Sequence, residues 1–356
     1  KTNNTHWYYD YTIPSGNDGV LNVTVTAQDN ATNSVTEYDE SKYIDNTAPT
    51  TTIIVPEDNA YYTTGDAIDT IINGTATDGL SGVDHVNITI YNQTGNRYWN
   101  GTGWQDGTAW LTTTGSTSWN RTSLPTWVTG NTYVVNASAT DVAGNIESTA
   151  SNSFTYDTQA PDTTLNALND FYNSPPTING TATDQNYGDL DKVELQIWNT
   201  TDNMNWTGTA WQAAEAWFEV ETGMSGWNSV TWTGSSYPTW TDGKSYTIRA
   251  RAYDDAGNVD PAPASDSFTY DTTAPTCTIG YNNSATYFKE GDKLRIYANF
   301  TEATSGINES TVKITLTNAT GTVLVNNVGM TKTNNTHWYY DYTIPSGNDG
   351  VLNVTV

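Results

Sequence analysis

The strongest constraint on this chain is that it repeats itself. Its first 25 residues, KTNNTHWYYDYTIPSGNDGVLNVTV, recur without change as residues 332–356, at an offset of 331 residues. A run of identities this long is beyond chance, and a stable fold does not require it, because diverged repeats pack as well. We therefore expect a tandem array with a 331-residue period, seen here as one period plus an overlap. On that expectation the chain starts and stops within a repeat unit, and any signal or anchor lies elsewhere.

A shorter period divides the long one. Three junctions read DNTAPTTTI from Asp45, DTQAPDTTL from Asp157 and DTTAPTCTI from Asp271. Their spacing predicts three domains of about 110 residues per period. The predicted divisions are 1–47 as the C-terminal part of a domain C, 48–158 as domain A, 159–272 as domain B, and 273–356 as the N-terminal part of domain C, in which 332–356 repeats 1–25.

Strict alternation of apolar and polar residues predicts β-strands at matching places in all three domains. One strand has an inward face formed by Tyr133, Val135, Ala137 and Ala139 in A, by Tyr246, Ile248, Ala250 and Ala252 in B, and by Leu21, Val23, Val25 and Ala27 in C. A second has Val86, Ile88 and Ile90, then Val193, Leu195 and Ile197, then Val312, Ile314 and Leu316. With many short strands and no helical periodicity, the sequence predicts an all-β chain of tandem β-sandwiches.

The low aliphatic content and the high net charge suggest a disordered chain, but the aromatic content argues against disorder. Leu, Ile, Val and Phe make up only 16% of the residues, and the net charge is −26. Charged residues are only 15% of the chain, however, and 14 Trp and 23 Tyr can bury large apolar areas. The 65 Thr residues favour strands. We therefore expect folded domains with aromatic, β-branched cores.

The same numbers exclude several classes of function. An acidic surface repels nucleic-acid phosphates, and no apolar run is long enough to span a membrane in this segment. Cys277 is the sole cysteine, so no internal disulfide forms. The three His residues belong to no Ser–His–Asp, HExxH or Cys–His arrangement, and no phosphate-binding loop is present. The sequence predicts no catalytic residue and no enzyme.

Two stretches resemble a known family. TYVVNASATDVAGN in A and SYTIRARAYDDAGN in B resemble the penultimate strand and following loop of bacterial and archaeal Ig-like repeats, and TATDGLSGVDHV resembles an earlier loop and strand. Domain C departs from the pattern, with Leu21 in place of the Tyr and Asn30–Asn33 in place of AGN. The resemblance covers nearly the whole chain and implies Ig-like sandwiches of about 110 residues, three per period. It is specific for the fold and for extracellular repeat proteins, which serve as stalks, filaments or ligand binders.

N-glycosylation is the strongest chemical signal. The chain contains 18 N-x-[ST] sequons, and three of them fall at the same place just past an alternating strand in A, B and C. The alternative is that Asn and Thr are abundant and the repeats share ancestry. The predicted acceptors are Asn3, Asn22, Asn30, Asn73, Asn87, Asn92, Asn100, Asn120, Asn136, Asn179, Asn199, Asn205, Asn282, Asn299, Asn308, Asn318, Asn334 and Asn353.

A structural Ca²⁺ at each domain junction is the second prediction. Acidic residues recur in two loops that share the pole of an Ig-type sandwich next to the preceding domain, where each junction Asp also arrives. Carboxylate, amide and carbonyl oxygens could supply the six to eight ligands that Ca²⁺ needs. The alternative is turn chemistry, since Asp and Asn favour loops. The candidate ligands are Asp45, Asp78, Asp141 and Asn145, then Asp157, Asp184, Asp254 and Asn258, then Asp271 and Glu302, with Asp29 and Asn33 at the equivalent loop positions in domain C.

Tryptophans in A and B form the third signal, in WNGTGWQDGTAW and WTGTAWQAAEAW. If exposed, Trp99, Trp104, Trp206 and Trp211 could stack on sugar rings; the alternative is that they close an extra hairpin or pack between domains. The sequence therefore predicts a structural segment of a long, glycosylated, extracellular fibre, stalk or sheath of a prokaryotic, archaeal cell surface. Its partners would be neighbouring repeats and copies of itself. The alternative is an adhesin whose Trp-rich repeats bind surface glycans.

Overall fold

The structure, a computed structural model, describes residues 5–184, 189–222, 224, 227–347 and 349–356. These residues form an N-terminal hairpin followed by successive pairs of β-sheets. In the described part of the chain the helical segments are two single turns of 3₁₀ helix, Ala67–Asp69 and Glu309–Thr311. The prediction of an all-β fold is confirmed.

The strands run in the following order along the chain, and they are named by the predicted domain in which they lie. The hairpin is β1 (Gly19–Gln28) and β2 (Ser34–Ile44). Domain A has β3 (Thr50–Val55), β4 (Ala60–Tyr62), β5 (Ile72–Thr77), β6 (Val83–Asn92), β7 (Arg97–Trp99), β8 (Trp104–Gln105), β9 (Leu111–Thr112), β10 (Ser118–Arg121), β11 (Asn131–Asp141) and β12 (Ala150–Tyr156). Domain B has β13 (Asp162–Thr163), β14 (Phe171–Tyr172), β15 (Asn179–Thr183), β16 (Leu190–Asn199), β17 (Met204–Trp206), β18 (Trp211–Gln212), β19 (Phe218–Thr222), β20 (Ser229–Thr233), β21 (Lys244–Asp254) and β22 (Ala264–Tyr270). Domain C has β23 (Thr276–Tyr281), β24 (Lys293–Thr301), β25 (Lys313–Thr317), β26 (Val323–Gly329), β27 (Thr331–Asn334), β28 (His337–Thr343) and β29 (Asn353–Thr355).

Domains A and B share one sheet order. In A, one sheet runs β10-β5-β3 and the other β4-β12-β11-β6-β7-β8, with β9 also on β6. In B the same places are taken by β13-β15-β20 and by β14-β22-β21-β16-β17-β18, with β19 on β16. Neighbouring strands are antiparallel, except that the short strands β4 and β14 run parallel to β12 and β22. The predicted alternating strands are β11 and β21 together with β6 and β16, and their apolar faces are buried.

A tryptophan fills the centre of domain A and another fills that of domain B, each opposite a glycine. Trp119 and Trp232 are buried, on β10 and β20. A Cβ on Gly74 would lie 2.3 Å from Trp119 Cζ2 and 2.0 Å from a backbone oxygen. A Cβ on Gly180 would lie 2.7 Å from Trp232 Cζ2. The indole ring thus occupies the space that any larger residue on the paired strand would need.

A tyrosine anchors the long inner strand in A and B. The Tyr133 hydroxyl accepts a hydrogen bond from the backbone N–H of Val128 at 3.0 Å, and that of Tyr246 from Thr241 at 3.0 Å. Both rings are buried against Phe and Trp neighbours. This is the tyrosine corner of Ig-type sandwiches.

The repeated 25-residue sequence occurs in two environments. Trp338 lies on β28, which pairs with β24, and is 1% exposed. Trp7, its identical copy, is 66% exposed. Since the two sequences are the same, the difference arises from the strands around them. In domain C, Trp338 is buried beside β24.

The contact between Gly74 and Trp119 yields a stability prediction. Gly74→Ala should lower the free energy of unfolding of domain A by about 1–3 kcal/mol, because neither the backbone oxygen nor the packed ring has room to move. Chemical denaturation followed by Trp fluorescence measures the change. The matched control is Gly79→Ala, where a Cβ meets nothing within 4 Å. Equal stability of the two variants would contradict the packing argument.

Candidate metal centres at the domain junctions

The junction between A and B is built around Asp157, which follows the last strand of A. Its side chain is completely buried, and its backbone N–H donates to the Tyr62 carbonyl at 2.8 Å. One carboxylate oxygen, Oδ1, accepts from the Gln159 N–H at 2.9 Å and from the Thr129 hydroxyl at 3.3 Å. The other oxygen, Oδ2, is buried and has no hydrogen-bond partner among the residues that the structure describes. Domain A therefore holds this carboxylate in place and leaves one oxygen open toward domain B.

Domain B supplies two more buried carboxylates. Asp184 follows β15 and is 3% exposed, and Asp254 ends β21 and is 1% exposed. One carboxylate oxygen from each of Asp157, Asp184 and Asp254 lies within 4.8 Å of the other two. The predicted acidic columns thus converge at this junction.

A hydrogen-bonded turn fixes Asp254 and also joins the two domains. The backbone N–H and side-chain amide of Asn258 donate to the two Asp254 oxygens, at 2.8 Å each. The same amide donates to the Asp157 backbone carbonyl at 3.1 Å, and its oxygen accepts from the Thr63 hydroxyl of domain A at 2.7 Å. Asn258 was predicted as a ligand, but its side chain is already engaged in positioning the carboxylates.

Burial and like charge act together on these acids. Burial, opposed in part by the hydrogen bonds from Asn258 and reinforced by the nearby charge of Asp157, raises the pKa of Asp254 from 3.8 to about 6. Burial also raises the pKa of Asp157. Close, buried carboxylates of like charge are costly unless a proton or a cation compensates them.

The junction before domain A repeats the arrangement in a more open form. Carboxylate oxygens of Asp45, Asp78 and Asp141 lie within 4.8 Å of one another, and among them Asp141 is fully buried. Asn145 donates twice to Asp141, from its backbone and its side chain, at 2.7 Å each, and once to the Asp45 carbonyl at 3.0 Å. The Ser81 N–H donates to Asp45 at 2.9 Å.

The third predicted set is not assembled among the described residues. Asp271 accepts from the Thr273 N–H at 3.1 Å, and Glu302 from the Thr304 N–H at 2.7 Å, each within its own loop. The matching Asp29 lies in the N-terminal hairpin, where Asn33 donates to it from its backbone at 2.9 Å and from its side chain at 2.8 Å. The same Asp–Asn turn is therefore present in the hairpin as well as in domains A and B.

Residues that were not predicted as metal ligands also form hydrogen bonds at the junctions. Asp18, Thr129 and Asp242 hydrogen-bond to the residues of the following linker, and the Tyr61 hydroxyl of A donates to Asp189 of B at 3.2 Å. The first three each stand directly before the glycine that opens the long inner strand. That shared position is a sequence signal that could have identified them. Tyr61 and Asp189 carry no such signal.

The four candidate sugar-stacking tryptophans are half-buried on the domain cores. Trp99 and Trp104 pack against the core of A, and Trp206 and Trp211 against that of B. Within each pair the rings meet at 60° with centroids 5.6 Å and 5.4 Å apart. Each pair closes a small hairpin and does not form a flat platform. Glycan stacking by these residues stays a prediction without geometric support.

The predicted glycan acceptors differ in accessibility. Asn3 lies outside the described residues. The exposed acceptors are Asn22, Asn30, Asn100, Asn282, Asn308, Asn334 and Asn353, and the half-buried ones are Asn73, Asn87, Asn120, Asn136, Asn179, Asn299 and Asn318. Asn92, Asn199 and Asn205 are 8%, 6% and 7% exposed, and their side chains accept hydrogen bonds from within the domain. Folded geometry disfavours a glycan on these three.

The strand order and the tyrosine corner define a class, the Ig-type β-sandwich in tandem. Residues 32–158, which include β2 and all of domain A, match the family model described as a bacterial Ig-like domain. That segment is similar to bacterial Ig-like domains, and because B repeats the strand order of A, the chain carries Ig-like β-sandwiches in tandem. The resemblance predicted from the sequence is confirmed.

Solved structures show likenesses at low identity. Fibronectin(III)-like modules of Clostridium thermocellum CbhA are 17% identical over 62% of this chain and 94% of theirs, with a TM-score of 0.33. The D00–D0 domain of intimin is 16% identical over 62% of this chain and all of its own, with a TM-score of 0.26. Native E. coli alpha-2-macroglobulin is 9% identical over 95% of this chain but only 23% of its own, with a TM-score of 0.22. The fold assignment does not depend on these likenesses, and no curated protein matches the sequence.

Within the described ranges, no helix has the length or apolarity needed to cross a bilayer.

The raised pKa of Asp254 yields a pH prediction. The folded chain binds this proton more tightly than the unfolded chain, so the group's contribution to stability falls as pH rises through the window from about 4 to about 6. Asp157→Asn removes the neighbouring charge, so its stability should decline less with pH. Urea unfolding in chelator at pH 4–7 measures both slopes. Exposed Asp191→Asn is the control and should parallel the wild type, and parallel slopes for all three proteins would contradict the coupling.

Proposed function

We propose that this chain is a structural segment of an extracellular surface array in which bound Ca²⁺ fixes successive Ig-like domains against one another. The observation that carries the proposal is Asp157 Oδ2, a buried carboxylate oxygen of domain A next to Asp184 and Asp254 of domain B. Within the described part of the chain, this oxygen has no hydrogen-bond partner. A cation at this point would bind both domains at once. It would compensate charge that the apolar surroundings otherwise penalise.

The chemistry of the donors supports Ca²⁺ over other ions. The cluster offers carboxylate oxygens and contains no His or Cys, which suits a hard cation. Each of the two assembled sites provides three carboxylates, and backbone oxygens and water would complete six to eight ligands. Asn145 and Asn258 donate hydrogen bonds to the carboxylates and so orient them. In metal sites, residues that do not bind the metal themselves commonly have this role.

The role of the array is proposed to be mechanical and not enzymatic. Direct contacts already link A to B through Thr63 and Tyr61, so a bound ion would stiffen an existing interface. The net charge of −26 and glycans on the exposed sequons would keep neighbouring arrays soluble. An extracellular location and an archaeal source remain part of this proposal. The adhesin alternative lacks a specific supporting observation, because the candidate tryptophans pack inward.

The metal prediction is tested with one substitution that has opposite effects in two conditions. In chelator, the free energy of unfolding of Asp157→Asn should equal that of the wild type or exceed it by up to about 1 kcal/mol, because the substitution removes a buried charge. In Ca²⁺ at a hundred times Kd, the wild type should gain about 2.7 kcal/mol. Its melting temperature should then rise by about 10 °C while the variant barely responds.

Differential scanning calorimetry in chelator, Ca²⁺ and Mg²⁺ measures these shifts. Asp191→Asn, an exposed carboxylate on β16, is the matched control and should respond to Ca²⁺ like the wild type. A wild-type melting curve that is identical in chelator and in Ca²⁺ would overturn the metal proposal. A response to Ca²⁺ that Asp157→Asn retains would place the ion elsewhere.

Glycosylation is tested by site occupancy. When the chain is secreted from a host that modifies N-x-[ST] sequons, glycopeptide mass spectrometry should find glycans on exposed Asn100 and Asn282. Buried Asn199 and Asn205 should stay unmodified, because their side chains are engaged within domain B. Occupancy of the buried pair together with bare exposed sites would contradict the proposal.

A further inference from the structure

Domain B covers a tryptophan on the outer face of its larger sheet with charged side chains. The guanidinium group of Arg251 lies over the ring of Trp217, 4.0 Å from the ring centroid. Arg251 donates two hydrogen bonds to Glu194 Oε2, at 2.9 Å and 2.7 Å, and the Lys192 ammonium group donates to Glu194 Oε1 at 2.9 Å. Trp217 is half-buried as a result. The cation–π contact and the ion pairs close this part of the surface of B.

The equivalent tryptophan of domain A is more open to solvent. β9 pairs with β6 in A in the same register as β19 pairs with β16 in B, so Trp110, directly before β9, takes the place of Trp217. Its neighbour Leu111 is buried on the core, and the alternation of side chains therefore directs Trp110 to the outer face. Trp110 is 49% exposed.

The residues that cover the tryptophan in B are uncharged in A. Ser138 takes the place of Arg251, and Asn87 takes the place of Glu194. Asn87 lies opposite Ser138 across β6 and β11, as Glu194 lies opposite Arg251 in B. Asn87 also begins the sequon Asn-Ile-Thr, which domain B lacks at this place. The position that holds the arginine's partner in B is thus a potential glycan attachment site in A.

Asn87 is better placed than the other sequon of this face to bring a sugar to Trp110. It lies opposite Thr112, two residues from Trp110, so its side chain is a diagonal neighbour of the indole. Within the described ranges, the half-buried side chain of Asn87 makes no hydrogen bond. Asn136 lies one strand further from the tryptophan, and its amide donates to Thr89 Oγ1 at 2.9 Å.

We infer that an N-glycan on Asn87 folds back onto Trp110 and covers, in domain A, the surface that Arg251 covers in domain B. The C–H faces of the first sugar rings are apolar enough to lie on an indole, while their hydroxyl groups stay in water. The inference rests on the glycosylation in the proposed function. It adds one half-buried acceptor to the exposed ones and names the side chain that its sugar contacts.

The glycan comes from an oligosaccharide that is carried on a lipid phosphate. Asn87 Nδ2 attacks the anomeric carbon of the first sugar, so that a new N–C bond forms and the C–O bond to the phosphate breaks. The phosphate leaves with the electron pair of that bond, and the amide loses one proton to solvent. The host's transferase catalyses this step, and the domain contributes the acceptor amide and the tryptophan.

The test compares the accessibility of Trp110 with and without the glycan. The full chain is secreted from a host that modifies N-x-[ST] sequons, and glycopeptide mass spectrometry should find Asn87 occupied. Hydroxyl-radical footprinting then measures the oxidation of Trp110, which should be about threefold faster in Asn87→Gln, because the indole loses its cover. Trp217 is covered by protein side chains in both chains and is the internal reference.

Two further samples serve as controls. Asn282→Gln removes a sequon from an exposed site in domain C and should leave the oxidation of Trp110 unchanged. Enzymatic release of the glycans from the folded wild type should raise the oxidation of Trp110 as much as Asn87→Gln does. This second route does not depend on how well the variant folds.

The outcomes separate this inference from the glycosylation on which it rests. Glycans on Asn100 or Asn282 with Asn87 unmodified would overturn the inference and leave the proposed glycosylation standing, whereas a chain without any glycan would overturn both. Equal oxidation of Trp110 in the wild type and in Asn87→Gln would overturn the inference even with Asn87 occupied. So would protection of Asn87→Gln by added free oligosaccharide, since Trp110 would then bind separate glycans.

Discussion

One asparagine side chain at each assembled junction connects the domains to each other and to their acidic sites. At each assembled junction an asparagine amide donates both to the aspartate at the end of the long inner strand and to the backbone carbonyl of the junction aspartate. These two hydrogen bonds hold the start of the next domain within a few ångströms of the end of the previous one. The buried carboxylates, the linker hydrogen bonds and the contact through Thr63 all follow from that placement. At the start of domain C, Asp271 and Glu302 instead accept hydrogen bonds within their own separate loops.

Much of the fold could be predicted because the repeats can be compared with one another within the same chain. The alternation in β11 and β21 is strict, and a period of two specifies which side chains face the core. The columns of acids before β6 and after β11 could be aligned between domains, and the predicted pole brought six of them together in two clusters. The prediction succeeded where a pattern recurred at fixed spacing.

The remaining features depend on packing that a single sequence does not encode locally. Trp7 and Trp338 lie in identical stretches of sequence yet differ in burial, and Trp338 is buried on β28 where that strand pairs with β24. Likewise, the sequon at Asn199 shows no sign that its side chain is held inside domain B. Asn258 was predicted as a ligand from its residue type, but its amide donates a hydrogen bond to Asp254 and so positions that carboxylate. These are properties of neighbours distant in sequence, and only the folded chain reveals them.

The parallel pairing of β4 with β12 has a consequence for tension. The first and last parts of domain A lie side by side and run in the same direction, with Phe154 opposite Ala60 and Tyr156 opposite Tyr62. When the two ends of the domain are pulled apart, these strands slide past each other, and their hydrogen bonds are strained together in shear. Strands that peel apart would instead break their bonds one after another. A chain of such domains would therefore resist stretching collectively, and domain B would share this property through β14 and β22.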